Sequence, residues 1–292
     1  MLATRSKCYW RSLLFVPVLA DAFVAKAHTR GADAIILDLE DSIAATQKDA
    51  ARQALPHAAA QLHAHGLDLC VRINRPLEQA IADISAAVMP QIRALMLPKV
   101  MGPEHIRLLA EVVSTRERAI GLEQGHTQFI ALVETAAAIP GLHAIAAAHE
   151  RLIAIGIGNE DLATELHAQA DEDTLYPFAM QLVAAARAAG IAPFGVLGPF
   201  ANFADLDAYR AGLQRSRRLG FATSACIHPS QVPIINTEYG VSTQQLDHAR
   251  RLVAAFEQGL NRGVGAVAFE GAMIDQPVAD RARALIEQAG HY

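Results

Sequence analysis

The chain has 292 residues, 52% of them hydrophobic and 5% aromatic, with a formal net charge of −5. A pI near 6.2 excludes a global basic field for nucleic acid, and a mean hydropathy of +0.20 excludes long disordered tracts. The length suits one large domain or two small ones, and no apolar run approaches the roughly 20 residues of a transmembrane helix. The first residues, M-L-A-T-R-S-K-C-Y-W-R-S, are polar and basic. The L-L-F-V-P that follows is shorter than the roughly 7–15 residues of a signal-peptide core and has no small-residue cleavage site after it, so a cytoplasmic location is expected. Cys8, Cys70 and Cys226 are widely spaced without C-x-x-C and read as free thiols of a reducing compartment.

Strands are predicted at 13–17, 34–40, 69–74, 94–99, 129–134, 152–158, 194–198 and 224–229, each apolar on both faces as in a covered parallel sheet. Alanine-rich segments with helical spacing alternate with them, such as 49–62, 103–113 and 176–190. Eight strands at intervals of roughly 30 residues predict a (β/α)8 TIM barrel, with a doubly wound open sheet as the competitor. The barrel is expected over 1–240. Residues 241–292 form a helical extension: a long helix at 243–260, a small strand or hairpin around A-V-A-F, and a last helix from about Val278. Such an extension packs on the body, covers an active-site mouth or reaches a neighbouring subunit.

In such a barrel the chemistry sits at the C-terminal ends of the strands. There the sequence places Glu40 and Asp41 at the end of strand two, Arg72 and Asn74 at the end of strand three, and Lys99 at the end of strand four. Strand five ends in Glu134, strand six runs into Asn159, Glu160 and Asp161, and strand eight ends in His228. Singly, Asp41, Ser42 or Asp161 is an ordinary helix cap, and Lys99 or Arg72 an ordinary surface ion pair. Together, acids from different strands need cations among them to coexist. Glu134 and Asp161, on adjacent strands, are the best metal pair. Two carboxylates, with water and substrate oxygens completing the shell, is the usual way of holding Mg²⁺. The twelve histidines show no H-x-x-x-H zinc spacing. Arg72 offers a planar fork to a substrate carboxylate or to Glu40. Of the acids in A-I-I-L-D-L-E-D-S-I, Asp38 reads as structural, paired with a neighbouring strand or a backbone donor. Glu40 is expected to orient Arg72, and Asp41 to reach the ion through water. No dinucleotide or P-loop fingerprint is present.

Several blocks, in order along nearly the whole chain, resemble the citrate lyase β-subunit-like family within the HpcH/HpaI aldolase superfamily. They are R-S-L-L-F-V-P, G-A-D-A-I-I-L-D-L-E-D-S-I with K-D-A-A-R just after it, V-R-I-N, L-P-K-V, L-V-E-T-A-A-A-I, G-I-G-N-E-D-L, L-G-F-A-T-S-A-C-I-H-P-S-Q-V-P-I-I-N and G-A-M-I-D-Q-P-V-A-D-R-A. The resemblance implies a phosphoenolpyruvate/pyruvate-binding type of barrel, commonly a homotrimer, that uses Mg²⁺, with Mn²⁺ as a substitute. It implies cleavage or formation of carbon–carbon bonds in 3-hydroxyacyl-CoA thioesters such as citryl-, citramalyl- or malyl-CoA. By position it makes Glu134 and Asp161 metal ligands, Arg72 the substrate-binding arginine, and Glu40 and Asp41 the acidic pair beside the metal and that arginine; Lys99 at the same rim is expected to bind substrate as well. Asp275, in M-I-D-Q-P, matches an acid/base aspartate that related thioester lyases bring from a neighbouring subunit.

Two positions depart from the family pattern and bear on CoA handling. Val18 stands where glycine usually follows F-V-P, and P-F-G-V-L-G-P-F-A-N-F lacks an acidic residue around the seventh strand. Three rival readings accompany the lyase. One is a metal-dependent aldolase acting on free 4-hydroxy-2-keto acids, and another is a Schiff-base aldolase using Lys99. The third is a subunit of a multi-subunit citrate lyase complex that carries the acyl group on an acyl carrier protein. His228 reads equally as a packing residue and as a substrate contact. No membrane or nucleic-acid partner is expected.

Overall fold

The computed structural model describes residues 8–198 and 203–290. Residues up to Tyr239 form one compact unit and those from Gly240 onward a second. The first unit is a (β/α)8 barrel. Its parallel strands are β1 (Ser12–Pro17), β2 (Ala34–Asp38), β3 (Asp68–Arg72), β4 (Ile92–Leu97), β5 (Gln128–Val133), β6 (Leu152–Ile157), β7 (Ala192–Phe194) and β8 (Ser224–Cys226). They run in the order β7-β6-β5-β4-β3-β2-β1-β8. A single bridge between Phe194 and Thr223 closes the ring. Around it lie α1 (Asp21–Ala27), α2 (Lys48–His63), α3 (Leu77–Ala87), α4 (Pro103–Ile120), α5 (Leu142–Ala146), α6 (Asn159–Glu165), α7 (Glu172–Ala188), α8 (Leu206–Leu219) and α9 (Val232–Glu238).

Each strand supplies two cores because alternate side chains point to opposite faces. Leu13, Ile36, Cys70, Met96, Ile130 and Phe194 fill the barrel interior. Their neighbours, among them Leu14, Ile35, Val71, Leu95 and Ala131, pack under the helices. The inward set therefore falls on 34, 36 and 38 in β2, on 70 and 72 in β3, and on 130, 132 and 134 through β5. That parity aims Asp38, Arg72 and Glu134 at one mouth.

Every strand but β1 ends earlier than the apolar pattern predicts, and for three of them the local reason is plain. β2 stops at Asp38 because its carboxylate accepts the N–H groups of Glu40 (3.0 Å) and Ser42 (3.1 Å), turning the chain out of the sheet. β7 stops at Phe194 because Gly195 (φ 130°) and Gly198 (φ 96°) leave the extended region. β8 stops at Cys226 because His228 caps a short turn at Pro229–Gln231. The reading of the segment around strand seven as free of acids extends over 199–202, outside the described residues.

At the opposite end of the barrel, Glu117 of α4 and Arg151 before β6 are buried together. Arg151 donates to both carboxylate oxygens (2.8 and 2.6 Å), and the N–H groups of Thr127 (2.8 Å) and Gly125 (3.1 Å) add two more bonds. Burial opposes the charge on Glu117, yet these donors outweigh it and hold its carboxyl below the usual glutamate value.

The second unit comprises α10 (Thr243–Asn261), an antiparallel hairpin of β9 (Val267–Phe269) and β10 (Ala272–Ile274), and α11 (Gln276–Ala289). Ser242 and Gln245 close a capping box on α10. Phe256, Ile274 and Ala279 form the centre of its own small core.

Arg151→Met leaves a buried, uncompensated carboxylate and is expected to destabilise the protein by about 3–5 kcal/mol, read from urea midpoints. The intact pair contributes stability that is present above the unfolded glutamate value of about 4.3 and is lost as pH falls through the lower folded value. The Arg151→Met protein should lack that component of acid sensitivity.

Candidate active site

The mouth of the barrel is organised by one guanidinium. Asp38 and Arg72 are register partners on β2 and β3. Arg72 donates from Nε to Asp38 Oδ1 (2.7 Å) and from Nη2 to Oδ2 (2.8 Å), a bidentate fork. Its plane lies over the Phe15 ring, 4.6 Å from the centroid. The remaining Nη1 faces Glu40 Oε2 at 3.0 Å and Asp41 Oδ2 at 3.5 Å. Burial works against ionising Asp38, but Arg72 and the turn N–H groups hold its carboxyl low. The sequence reading made Glu40 the residue that orients Arg72. In the structure Asp38 makes both forked bonds, and the buried Glu40 Oε2 meets Arg72 by charge while accepting no hydrogen bond.

Lys99 is the second organiser. It follows β4 with φ at 47°, a left-handed conformation that costs energy in a residue with a Cβ. That bend aims its N–H at Glu134 Oε2 (2.6 Å). Its ammonium reaches Glu40 Oε1 at 3.1 Å and Asp161 Oδ1 at 3.4 Å. Burial disfavours the charge on Lys99, but Glu40, then Glu134 and Asp161, more than offset it and raise its pKa.

Glu134 leaves the end of β5 into this cluster and is 5% exposed. Burial, followed by the charge of Asp161, pushes its carboxyl up to about 7. Asp161 stands in the first turn of α6 and is half-exposed. Gly158, between β6 and α6, makes room for Glu134: a Cβ there would lie 2.2 Å from Glu134 Oε1. Behind it, Asn159 donates to Val196 O and Gly198 O (both 2.8 Å) and fastens the loop after β7.

These groups line a cavity of about 250 Å³, with Arg72, Asp41, Glu134 and Asp161 on its wall and Phe15, Leu132 and Phe194 among its apolar surfaces. Five carboxylates (Asp38, Glu40, Asp41, Glu134 and Asp161) are held by two side-chain cations, Arg72 and Lys99. The negative excess, a buried carboxylate with a raised pKa and an all-oxygen donor set suit a hard divalent cation at Glu134 and Asp161. Among the described residues, no group of three or more His, Cys, Asp or Glu could hold an ion. The other coordination positions would therefore fall to water and substrate oxygens.

Six of the sequence-selected residues thus meet: Glu40, Asp41, Arg72, Lys99, Glu134 and Asp161. Asp275 belongs to the second unit, where its carboxylate caps α11 by accepting the Val278 N–H (3.3 Å), so that helix begins two residues before the expected Val278. Asn74 does not face the mouth. It is buried and donates to Leu39 O (2.9 Å) and Asp83 Oδ2 (2.7 Å). His228 is exposed, caps its turn through Ser230 and stacks on Phe203 at 4.7 Å, a loop-packing role. Lys48 was missed. Its ammonium donates to Leu39 O (2.8 Å) and Glu40 O (2.7 Å), holding the loop that carries the acids; the K-D-A-A-R block that it opens was its one signal in the sequence, and that block gave it no role.

The HpcH/HpaI aldolase/citrate lyase family model matches residues 11–229. The citrate lyase subunit beta of Escherichia coli K12 is 34% identical over 285 residues, covering 96% of this chain and 93% of that protein. The L-malyl-CoA/beta-methylmalyl-CoA lyase of Cereibacter sphaeroides (strain ATCC 17025) is 31% identical over 302 residues, covering 96% and 94%. Among solved structures, protein CitE from Mycobacterium tuberculosis in complex with magnesium, acetoacetate and coenzyme A superposes with a TM-score of 0.75 at 30% identity, covering 96% of this chain and 97% of that one.

Gly158→Ala is expected to fold, with a Tm lowered by a few degrees. It should push Glu134 off its position and weaken Mn²⁺ binding by roughly tenfold or more, read by electron paramagnetic resonance. Unchanged affinity would mean that Glu134 does not hold the ion.

Proposed function

The chain belongs to the HpcH/HpaI aldolase/citrate lyase family, and from that premise we propose a Mg²⁺-dependent carbon–carbon lyase that cleaves, or forms, a short 3-hydroxyacyl-CoA. Citryl-, citramalyl- and malyl-CoA are the candidate substrates, giving a 2-keto acid and an acyl-CoA. The observation that carries this reading is the placement of Glu134 and Asp161 beside Arg72 in one small cavity. Relatives named as lyases of malyl-CoA and citramalyl-CoA support it, as does a structural neighbour described with magnesium and coenzyme A.

Arg72, locked by Asp38, presents Nη1 to a substrate carboxylate or to the oxygen that gains charge as the bond breaks. A Mg²⁺ bound at Glu134 and Asp161 supplies Lewis-acid stabilisation to the keto-acid oxygens. The 3-hydroxyl proton passes to a carboxylate at the mouth, for which Asp41 is the accessible group on the cavity wall. The C2–C3 electron pair then leaves as the enolate of the acyl thioester, and an acid returns a proton to C2. Asp275, supplied from a neighbouring subunit of a homotrimer, is our assignment for that acid. Val18, where the family has glycine, is buried in the helix-facing core, so its side chain does not crowd the cavity, and CoA remains the preferred carrier over free hydroxy acids.

Activity should vanish with EDTA and return with Mg²⁺. In a panel of citryl-, citramalyl- and malyl-CoA against free 4-hydroxy-2-keto acids, a thioester should release the keto acid. Release from the free acids alone overturns the CoA reading. Glu134→Gln and Asp161→Asn should each lower kcat at least about a hundredfold, and two unaffected variants would remove the metal assignment. Asp275→Asn should lose activity while binding Mn²⁺ normally. Mixing it with Glu134→Gln after dissociation should restore activity if Asp275 serves a partner's site.

A further inference from the structure

Lys99 holds an unusual set of contacts for a substrate-binding lysine. Its strained backbone donates to Glu134, and its ammonium lies against Glu40 and Asp161, so one residue touches both carboxylates assigned to the ion and a third beside them. Such a cation lowers the mutual repulsion of the acids when no divalent ion is bound, and it competes for Asp161 when one arrives. Glu40 is the group positioned to keep it there. It is buried, and its Oε1 accepts from Lys99 Nζ while Oε2 faces Arg72. Release of Asp161 would therefore leave the ammonium paired with Glu40 rather than stranded.

We propose that Lys99 is a tethered counter-ion that preassembles the acidic site in the metal-free protein and sets its divalent-ion affinity by sharing Asp161 with the metal. The proposal rests on the assignment of Glu134 and Asp161 as metal ligands. It makes Lys99 a positioning residue, acting on the substrate only through the ion. The left-handed turn gives the strain a use, since a relaxed backbone at 99 would not aim both the N–H and the ammonium at the same cluster.

The test is Mn²⁺ affinity by electron paramagnetic resonance, together with thermal unfolding with and without Mg²⁺, at about pH 8.5, where ordinary carboxylates are ionised. Lys99→Met keeps the length and apolar stem of the side chain and removes the charge. It should bind Mn²⁺ roughly tenfold more tightly than the parent. Its metal-free Tm should fall, and saturating Mg²⁺ should close most of the gap to the parent. Lys99→Gln, which keeps a donor for Glu40, replaces it should the Met variant fail to fold. Unchanged or weaker Mn²⁺ binding overturns the proposal. A Tm deficit that Mg²⁺ does not narrow also overturns it, as a purely structural lysine would give that result. So does a raised KM with Mn²⁺ affinity unmoved, the signature of a direct substrate contact. Failure of the parent protein to bind Mn²⁺ would instead refute the metal site itself, so the two failures are distinct.

Discussion

The mouth of this barrel depends on one electrostatic constraint: acids delivered by β2, β5 and α6 occupy a common cavity with fewer positive side chains than negative ones. Parallel strands in register bring every inward side chain at the same height to the same rim, so the repulsion is a consequence of topology. The Asp38–Arg72 fork settles part of it by tying β2 to β3. Lys99 settles more by linking the end of β4 to Glu40, Glu134 and Asp161. What is left unsettled sits on Glu134, whose carboxyl is pushed up to about 7 by burial and then by Asp161.

The two ends of the barrel resolve buried charge in opposite ways. Glu117 accepts four hydrogen bonds and is closed off with Arg151, leaving nothing for a ligand to improve. Among the described residues, Glu40 has a buried oxygen with no hydrogen bond and Glu134 accepts one N–H, that of Lys99. A buried ion pair with all its partners contributes order, whereas an incompletely satisfied one stores free energy that binding can release. The bottom of the barrel is built for stability, whereas the mouth keeps a polar group that a ligand could satisfy.

Much of this was legible from residue pattern. The eight strands and the βα period followed from apolar runs and helical spacing, and Glu134, Asp161 and Arg72 stood out as charged groups closing apolar strands. The helical extension and its hairpin were also readable from glycines and from the T-Q-Q-L helix. Strand ends were not, because a side-chain bond to the backbone decides them at Asp38 and His228 and glycine φ angles decide them after Phe194. The division of labour between Asp38 and Glu40 could have been read from parity. Position 38 shares the inward face with 34 and 36, so it meets Arg72 directly, whereas Glu40 lies beyond the last ladder pair. The reach of Lys99 had no such signal, since it depends on a positive φ that no neighbouring residue announces.

That positive φ also explains why Lys99 differs from the surface lysine its local sequence suggests. In an extended continuation of β4 its N–H would turn to a neighbouring strand and its side chain would follow the period of the sheet. Bent as it is, the residue breaks both patterns at the same point and spends its donor and its charge on the acids around it. Backbone strain, carboxylate crowding and the need for a cation are therefore one arrangement. The strain is tolerable because the acids reward it, and the crowding of the acids is tolerable because Lys99 and Arg72 attend them. The residual negative charge is in turn what suits the cavity to the divalent ion proposed at Glu134 and Asp161.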